Sequence, residues 1–357
     1  MLNKSLLKIF DILPASKIKY FIEKSLGIFE SKNKSFCTYH SRPKYVCGIQ
    51  TFSDRLINTP ITAMVIQGAV LKENDFTLES IKTYKKIFSG SIIILSTWED
   101  EDPEYLEKIK KENIVILLNK RPEYSGQQNI NYQIISSLNG LKKAGELGAE
   151  YAIKTRTDQR IYGFNLNEFL VNLVEKFPID RKWKQNKRIV GINLNSFKFR
   201  LYGVSDMFLF GDIQDMIIYF SPELDKRKLG EEIKNCKTTR DFCNLRLCEI
   251  YLSSEFLSKV GRELKWTLED SFRVFADHFI IIDKETIDLY WPKYSRYKEY
   301  RYLNYKNMTF LQELNFREWF NLYSNFNNKL KISEKILDIK TEENFCQESF
   351  YPSEEAK

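Results

Sequence analysis

Histidine is nearly absent from this chain: His40 and His278 are the only two among 357 residues. A zinc or iron site built on imidazoles is therefore disfavoured. Cysteine is sparse, and Cys37, Cys47, Cys236, Cys243, Cys248 and Cys346 show no C-x-x-C spacing. With no signal-peptide pattern at the start, that usage points to reduced thiols and a cytoplasmic protein. No apolar run reaches the roughly 18–20 residues that a membrane span requires. The first strand-like run is not followed by G-x-G-x-x-G, and G-x-x-x-x-G-K-[ST] occurs nowhere. Both a dinucleotide dehydrogenase and a P-loop nucleotidase are thereby disfavoured.

What is present is an ordinary globular composition, 43% hydrophobic and 29% charged, with a net charge of +7. That charge permits an anionic substrate or membrane surface without demanding nucleic acid. Aromatic residues reach 14%, including 20 Tyr and 26 Phe, which suits carbohydrate or interface surfaces.

The first 30 residues alternate apolar positions with Lys4, Lys8, Lys17, Lys19 and Lys24, and Pro14 divides them into two helical patterns. Such helices either dock on the main domain or lie on an anionic membrane face. Ser31 to Pro60 reads as a connector. From Ile61 the pattern changes. Four short apolar runs, at 61–66, 92–95, 114–118 and 151–154, alternate with three helical patterns. Asp102-Pro103 supplies an N-cap and a first-turn proline for one of those helices. Continuous rather than alternating hydrophobicity in each run predicts strands buried on both faces, hence a parallel sheet covered by helices.

Ligands of such sheets gather at the carboxyl ends of the strands. Three ends carry candidate residues: Gln67-Gly68, then Thr97-Trp98, then Lys154 to Arg160. Gly68 allows close backbone approach, and Trp98 offers a stacking face. The third end crowds Lys154, Arg156, Asp158 and Arg160 into seven residues. Its cations suit a phosphate-bearing ligand, and its carboxylate suits a metal or a sugar hydroxyl. The alternative reading of each feature is a turn, a packing residue and a solvated loop.

Further along, Asp206 precedes an apolar run, Glu249 falls on a helical pattern near its core-facing side, and Asp270 follows Trp266. Residues 221–241 are charge-rich and read as a surface excursion. Tyr290 to Tyr302 interleaves bases with aromatics, which suits an anionic glycolipid, a membrane interface or single-stranded nucleic acid, or else a domain edge with tyrosines packed inward. Lys331 to Lys357 holds seven acids against four lysines and reads as a loose tail.

Taken together, Val65-Ile66-Gln67-Gly68, Ile94-Leu95-Ser96-Thr97-Trp98, Asn131-Tyr132-Gln133-Ile134 with Asn139-Gly140-Leu141, Lys154-Thr155-Arg156-Thr157-Asp158, and Val204-Ser205-Asp206-Met207-Phe208 with Phe210-Gly211-Asp212 resemble the WavE family of bacterial lipopolysaccharide synthesis proteins. The resemblance covers about residues 60–300 and is clearest over 61–212. It implies a GT-A-like α/β fold, a parallel or mixed sheet flanked by helices, and a glycosyltransferase acting on cell-surface glycan with a sugar-nucleotide donor. It further implies a D-x-D motif after the fourth strand, which binds a metal and the donor diphosphate. Here that motif reads Arg156-Thr157-Asp158, so a Mg²⁺ or Mn²⁺ ion would have Asp158 alone.

The expected layout is N-terminal helices and connector over 1–60, the transferase domain over 61–300, and a C-terminal helical extension with an acidic tail over 301–357. The expected donor site comprises Gln67, Gly68, Thr97, Trp98, Arg156, Asp158 and Arg160, with Asp158 as any metal ligand. Asp206 is the first choice for the base that accepts a proton from the acceptor hydroxyl, ahead of Glu249 and Asp270. The expected acceptor is lipid-linked or an oligosaccharide, with peripheral contact at the cytoplasmic face of the inner membrane. Two other classes compete: a non-catalytic glycan- or lipid-binding protein on the same scaffold, and a nucleotidyltransferase. The latter expects a Gly/Arg-rich loop after the first strand, and Gln67-Gly68-Ala69-Val70 supplies none.

Overall fold

A computed structural model describes residues 12–34, 36, 40–50, 60–247, 249–292, 312–325 and 333–338. The chain divides into two compact units, Met1–Pro43 and Lys44–Lys357.

The first unit carries helix α1 (Ala15–Asn33). Pro14 stands immediately before it, where its missing N–H is no loss. Lys34, in the left-handed conformation with φ 51°, closes the helix by returning its N–H to the Glu30 carbonyl. The earlier of the two expected N-terminal helices lies outside the described residues. No described helix is long and apolar enough to cross a membrane.

The second unit is built on a seven-stranded sheet. Its first half runs β1 (Thr62–Gln67), α2 (Phe76–Ile87), β2 (Ile92–Trp98), α3 (Pro103–Lys110), β3 (Val115–Asn119), α4 (Ile130–Glu146) and β4 (Tyr151–Arg156). Then follow β5 (Arg160–Ile161), α5 (Leu166–Lys176), β6 (Ile189–Ile192), β7 (Leu209–Asp212) and α6 (Ile213–Tyr219). The remainder is α7 (Glu231–Lys234), α8 (Thr239–Asn244), α9 (Glu249–Lys259), α10 (Leu268–His278), β8 (Phe279–Ile282), β9 (Leu289–Tyr290) and α11 (Phe316–Asn325).

Strand order is β3-β2-β1-β4-β7-β6-β8, with β5 and β9 forming a separate pair. The four strands expected from the apolar runs are β1 to β4, and they pair in parallel. β7 then enters antiparallel between β4 and β6, so the sheet is mixed. Ala63, Met64, Val65 and Ile66 of β1 are all fully buried, because β1 lies mid-sheet with helices over both faces. Each such aliphatic side chain stabilises the fold by roughly 1.5–3 kcal/mol. Gly140 lets α4 lie close on the sheet: a Cβ there would come within 2.4 Å of Val65 Cγ1.

Local signals read from the sequence operate as expected in α3, where the Asp102 side chain accepts from the Glu104 N–H at 2.9 Å. Residues 221–241 run mostly exposed or half-buried, as expected of a surface excursion, but are pinned at Asp225. Asp225 is 3% exposed, its N–H donates to Asn131 Oδ1 and its carbonyl accepts from Asn131 Nδ2. Arg227 grips its carboxylate. A charge-rich segment can be tied down when each charge meets its partner, which composition alone does not reveal. The described part of the C-terminal region belongs to the core: Trp319 is fully buried and donates to the Phe275 and Phe279 carbonyls at 2.9 Å. The basic-aromatic stretch after Pro292 and the acidic tail after Asp338 lie outside the described residues.

Candidate functional site

The register places Gln67, Ser96 and Arg156 side by side at the carboxyl ends of β1, β2 and β4. Because β7 runs the other way, with Lys154 opposite Leu209, the loop entering β7 arrives at that same edge. Antiparallel insertion thus delivers Asp206 to the edge at which β1, β2 and β4 end.

Around Gly68 the backbone is tightly tied. Gly68 has φ +113°, conformational space that suits glycine, and a Cβ would sit 3.2 Å from Thr157 Oγ1. Thr157 N–H donates to the Gln67 carbonyl at 3.1 Å, and its hydroxyl donates to the Ala69 carbonyl. The loop after β1 is therefore stitched to the loop after β4. Gln67 is 6% exposed, and its Oε1 accepts from Ser136 on α4 at 2.8 Å.

The four charged residues at and beyond the end of β4 separate into three roles. Arg156 donates through Nε and Nη2 to the two oxygens of Asp158, each at 2.8 Å. Trp291 Nε1 also donates to Asp158, at 3.3 Å, and the Arg156 guanidinium lies 5.8 Å from the Trp291 ring centre. The Arg156 and Asp158 side chains keep 22% and 20% of their surface open. Arg160 parts from them. It is 2% exposed and donates to the Lys44 and Phe76 carbonyls and to Ser80 Oγ. Its guanidinium also lies over the Phe76 ring at 4.5 Å. Arg160 therefore anchors the start of α2, and its assignment to the donor site is corrected on that ground.

Lys154 is fully buried. Its ammonium donates to Gln133 Oε1 at 3.1 Å and to the backbone carbonyl of Asp206, and it lies 5.2 Å from the Phe220 ring centre. Burial pulls its pKa down to about 8, against the opposing pull of Asp206. Asp206 is 5% exposed. Among the described residues its carboxylate takes part in no hydrogen bond or ion pair, so its lone pairs are available.

Other expected site residues make contacts within the fold. Trp98 is 2% exposed, packed edge-on against Tyr132 at 5.3 Å with the Arg121 guanidinium 5.0 Å from its ring centre. Its faces are occupied, which corrects the stacking role. Thr97 is fully buried and donates to Glu101, which also accepts the Val70 N–H. It fixes the loop behind the site rather than lining it. Glu249 is 4% exposed, with Oε2 3.6 Å from Arg200 Nη1. Arg200 is itself held between the Phe197 and Phe242 rings, at 4.4 and 4.6 Å. Asp270 accepts from Tyr202, Arg262 and the Lys265 N–H, and so clamps three segments together.

The sequence reading missed Trp291 and the Gln133–Lys154–Phe220 contact. Trp291 had a signal in the aromatic run from Tyr290, but its partner is 133 positions away. Lys154 had a sharper one: a lysine inside an apolar run is either an edge residue or buried with a purpose.

A Mg²⁺ or Mn²⁺ ion fits these residues poorly. No group of three or more His, Cys, Asp or Glu among the described residues could hold one, and both Asp158 oxygens are already gripped by Arg156. An ion at Asp158 would have to displace that guanidinium.

Residues 61–340 match the family described as WavE lipopolysaccharide synthesis, and the chain belongs to that family. Its mixed sheet flanked by helices is the α/β architecture expected from the sequence. No curated protein matches the sequence. Similar solved structures include a cytidylyltransferase from Leptospira borgpetersenii serovar Hardjo-bovis, 11% identical, covering 79% of this chain and 99% of its own, at TM-score 0.34. Another is a mannose-1-phosphate geranyltransferase from Thermus thermophilus, 12% identical, with 56% and 72% covered and TM-score 0.30. A glycosyltransferase involved in glycosylation of the major capsid of PBCV-1 is 11% identical, with 45% and 66% covered and TM-score 0.24.

Proposed function

We propose that this member of the WavE family is a glycosyltransferase that moves a sugar from a nucleotide-sugar donor to lipopolysaccharide or another cell-surface glycan. The observation that carries the reading is Asp206: a nearly buried carboxylate with no hydrogen-bond partner among the described residues, at the ligand edge of the sheet. In transfer, Asp206 accepts the proton of an acceptor hydroxyl while that oxygen attacks the anomeric carbon. The bond from that carbon to the donor phosphate breaks, and its electrons leave with the diphosphate. Charge developing there needs a preorganised cation, and Arg156 supplies it. Asp158 and Trp291 set the plane of the guanidinium, and its exposed fifth is where phosphate oxygens meet it. Gly68 admits the donor close to the backbone, Gln67 stands beside it at the end of β1, and Asp158 can accept from a sugar hydroxyl. Glu249 is the second choice as base, because Arg200 beside it favours a static ion pair. The acceptor would be lipid-linked or an oligosaccharide. Peripheral contact with the inner membrane's cytoplasmic face falls most naturally to α1, with its flanking Lys17, Lys19 and Lys24.

One observation favours a second reading, a non-catalytic glycan- or lipid-binding protein: the Arg156–Asp158 pair closes on itself. The two separate in a panel of UDP- and CMP-linked sugars added to the purified protein. A transferase is stabilised against heat by one donor, to an extent set by concentration and affinity, and hydrolyses it slowly without acceptor. A binding module shows glycan-dependent stabilisation with no donor turnover. Transfer that persists in EDTA agrees with cations alone at the diphosphate; complete loss restored only by Mn²⁺ or Mg²⁺ would sink that part.

A further inference from the structure

The loop that carries Asp206 has little backbone structure of its own. Between Val204 and Phe208, just before β7 begins, the Ser205 N–H donates to the Ser196 hydroxyl at 2.9 Å and the Met207 N–H to the Ser205 hydroxyl at 3.4 Å. Outside the strands and among the described residues, the backbone bond donated from this loop is that of Val204 to the Tyr202 carbonyl at 3.0 Å. The loop's own carbonyl at Asp206 is taken by the Lys154 ammonium. That ammonium is fixed from the other side by Gln133 of α4 and bounded by the Phe220 ring at the end of α6. A methionine would fill the same space on β4 without desolvating a charge, which is unfavourable for a residue with no exposure. What lysine adds is a directed cation beneath the carboxylate-bearing residue.

We propose that Lys154 is the positioning residue for Asp206: its ammonium, anchored by Gln133, holds the Asp206 carbonyl and fixes the direction of the carboxylate. The proposal rests on Asp206 being the base. The groups that act on Lys154 come from every side. Asp206 arrives from the loop before β7, Asp158 and Arg156 from the end of β4, and Glu249 from α9. Tyr219, on α6 and fully buried, also feels Asp206 and Glu249. Burial outweighs the carboxylates that favour the ammonium, and Arg156 acts with it, so Lys154 loses its proton, and its grip slackens, in mildly alkaline solution.

Backbone hydrogen exchange on the full chain tests the contact without any substrate. Lys154→Met should speed exchange over residues 204–208 by about tenfold or more at pH 7 while β1 stays protected. Unchanged exchange in the loop overturns the proposal. If Lys154→Met fails to fold, Gln133→Leu removes the anchor alone and should speed the same amides several-fold; no change there overturns it equally. With donor and acceptor in hand, Lys154→Met should lower kcat by about tenfold or more with donor KM held, and lose the wild type's alkaline fall in rate. A variant with wild-type kcat and pH profile defeats the proposal. A wild type that never turns over any donor, in which the loop still loosens on Lys154→Met, removes the transferase reading and leaves the positioning contact standing.

Discussion

Opposite ends of one sheet hold two aspartates that burial does not tell apart. Asp206, at the carboxyl end of β4, is 5% exposed; Asp215, on α6 beyond the amino end, is 1% exposed. Their hydrogen bonds differ completely. Asp215 accepts the Asn186 N–H on both oxygens at 3.0 Å and the Lys187 N–H at 2.8 Å. Even so, burial, with Asp212 nearby, pushes its pKa up to about 7. Its lone pairs close the turn that leads into β6. Asp206 has no such donors among the described residues, and what supports it is a cation gripping its own backbone. On the proposed reading, a shifted pKa in a buried carboxylate does not mark chemistry, and an unsaturated carboxylate at the carboxyl ends of the strands does.

The largest effect that could break this contrast is at Asp206. Asp206→Asn should reduce turnover by on the order of 10²–10⁴, the usual contribution of a positioned base, while donor still raises the melting temperature. Near-normal turnover would leave Asp206 as a loop residue, no different in kind from Asp215. Arg156→Ala comes next. Losing a charge-assisted contact of about 1.5–3 kcal/mol should lower kcat/KM by roughly ten- to a hundredfold. Lys142→Ala, on the exposed side of α4, should leave it unchanged. Equal effects from the two would mean that the guanidinium serves only Asp158.

How much of this was legible in the sequence follows from what each signal reports. The four strands from Thr62 to Arg156 were legible because each carries an uninterrupted apolar run, written by burial in β1, β2 and β4, although the edge strand β3 leaves Leu118 44% exposed. The α3 start was legible because Asp102-Pro103 acts through local contacts only. The candidate site was legible as a place, since parallel strands bring their carboxyl ends together whatever the side chains. The side chains' commitments were not. Arg160 and Arg156 look alike in sequence, four positions apart. Their difference lies in partners 116 residues away at Lys44 and two residues away at Asp158. Trp98 reads as a platform until Tyr132 and Arg121 cover it. Asp206 was reached through its motif, but its setting depends on β7 running antiparallel, which no local pattern announces.

The smallest effect on turnover, and the sharpest on stability, is expected at the amino end. A carboxylate near 7 when folded and near its ordinary 3.8 when unfolded binds more protons in the folded state between those pH values. Its contribution to stability is fully present below about pH 4 and is lost as pH rises toward 7. Lys154 works in the other direction and in another window. Folded it titrates near 8, unfolded near 10.5, so between those values the unfolded chain holds the extra proton and stability rises with pH. Denaturant melts from about pH 4 to about pH 10 should resolve the two limbs. Asp215→Asn should flatten the acid limb, cost about 1–2 kcal/mol near pH 4 through a weakened bond to Asn186 or Lys187, and leave transfer untouched. Lys154→Met should flatten only the alkaline limb. If Asp215→Asn lowers turnover as Asp206→Asn does, the two ends of the sheet are coupled, and saturation with hydrogen bonds fails to separate a structural carboxylate from a working one.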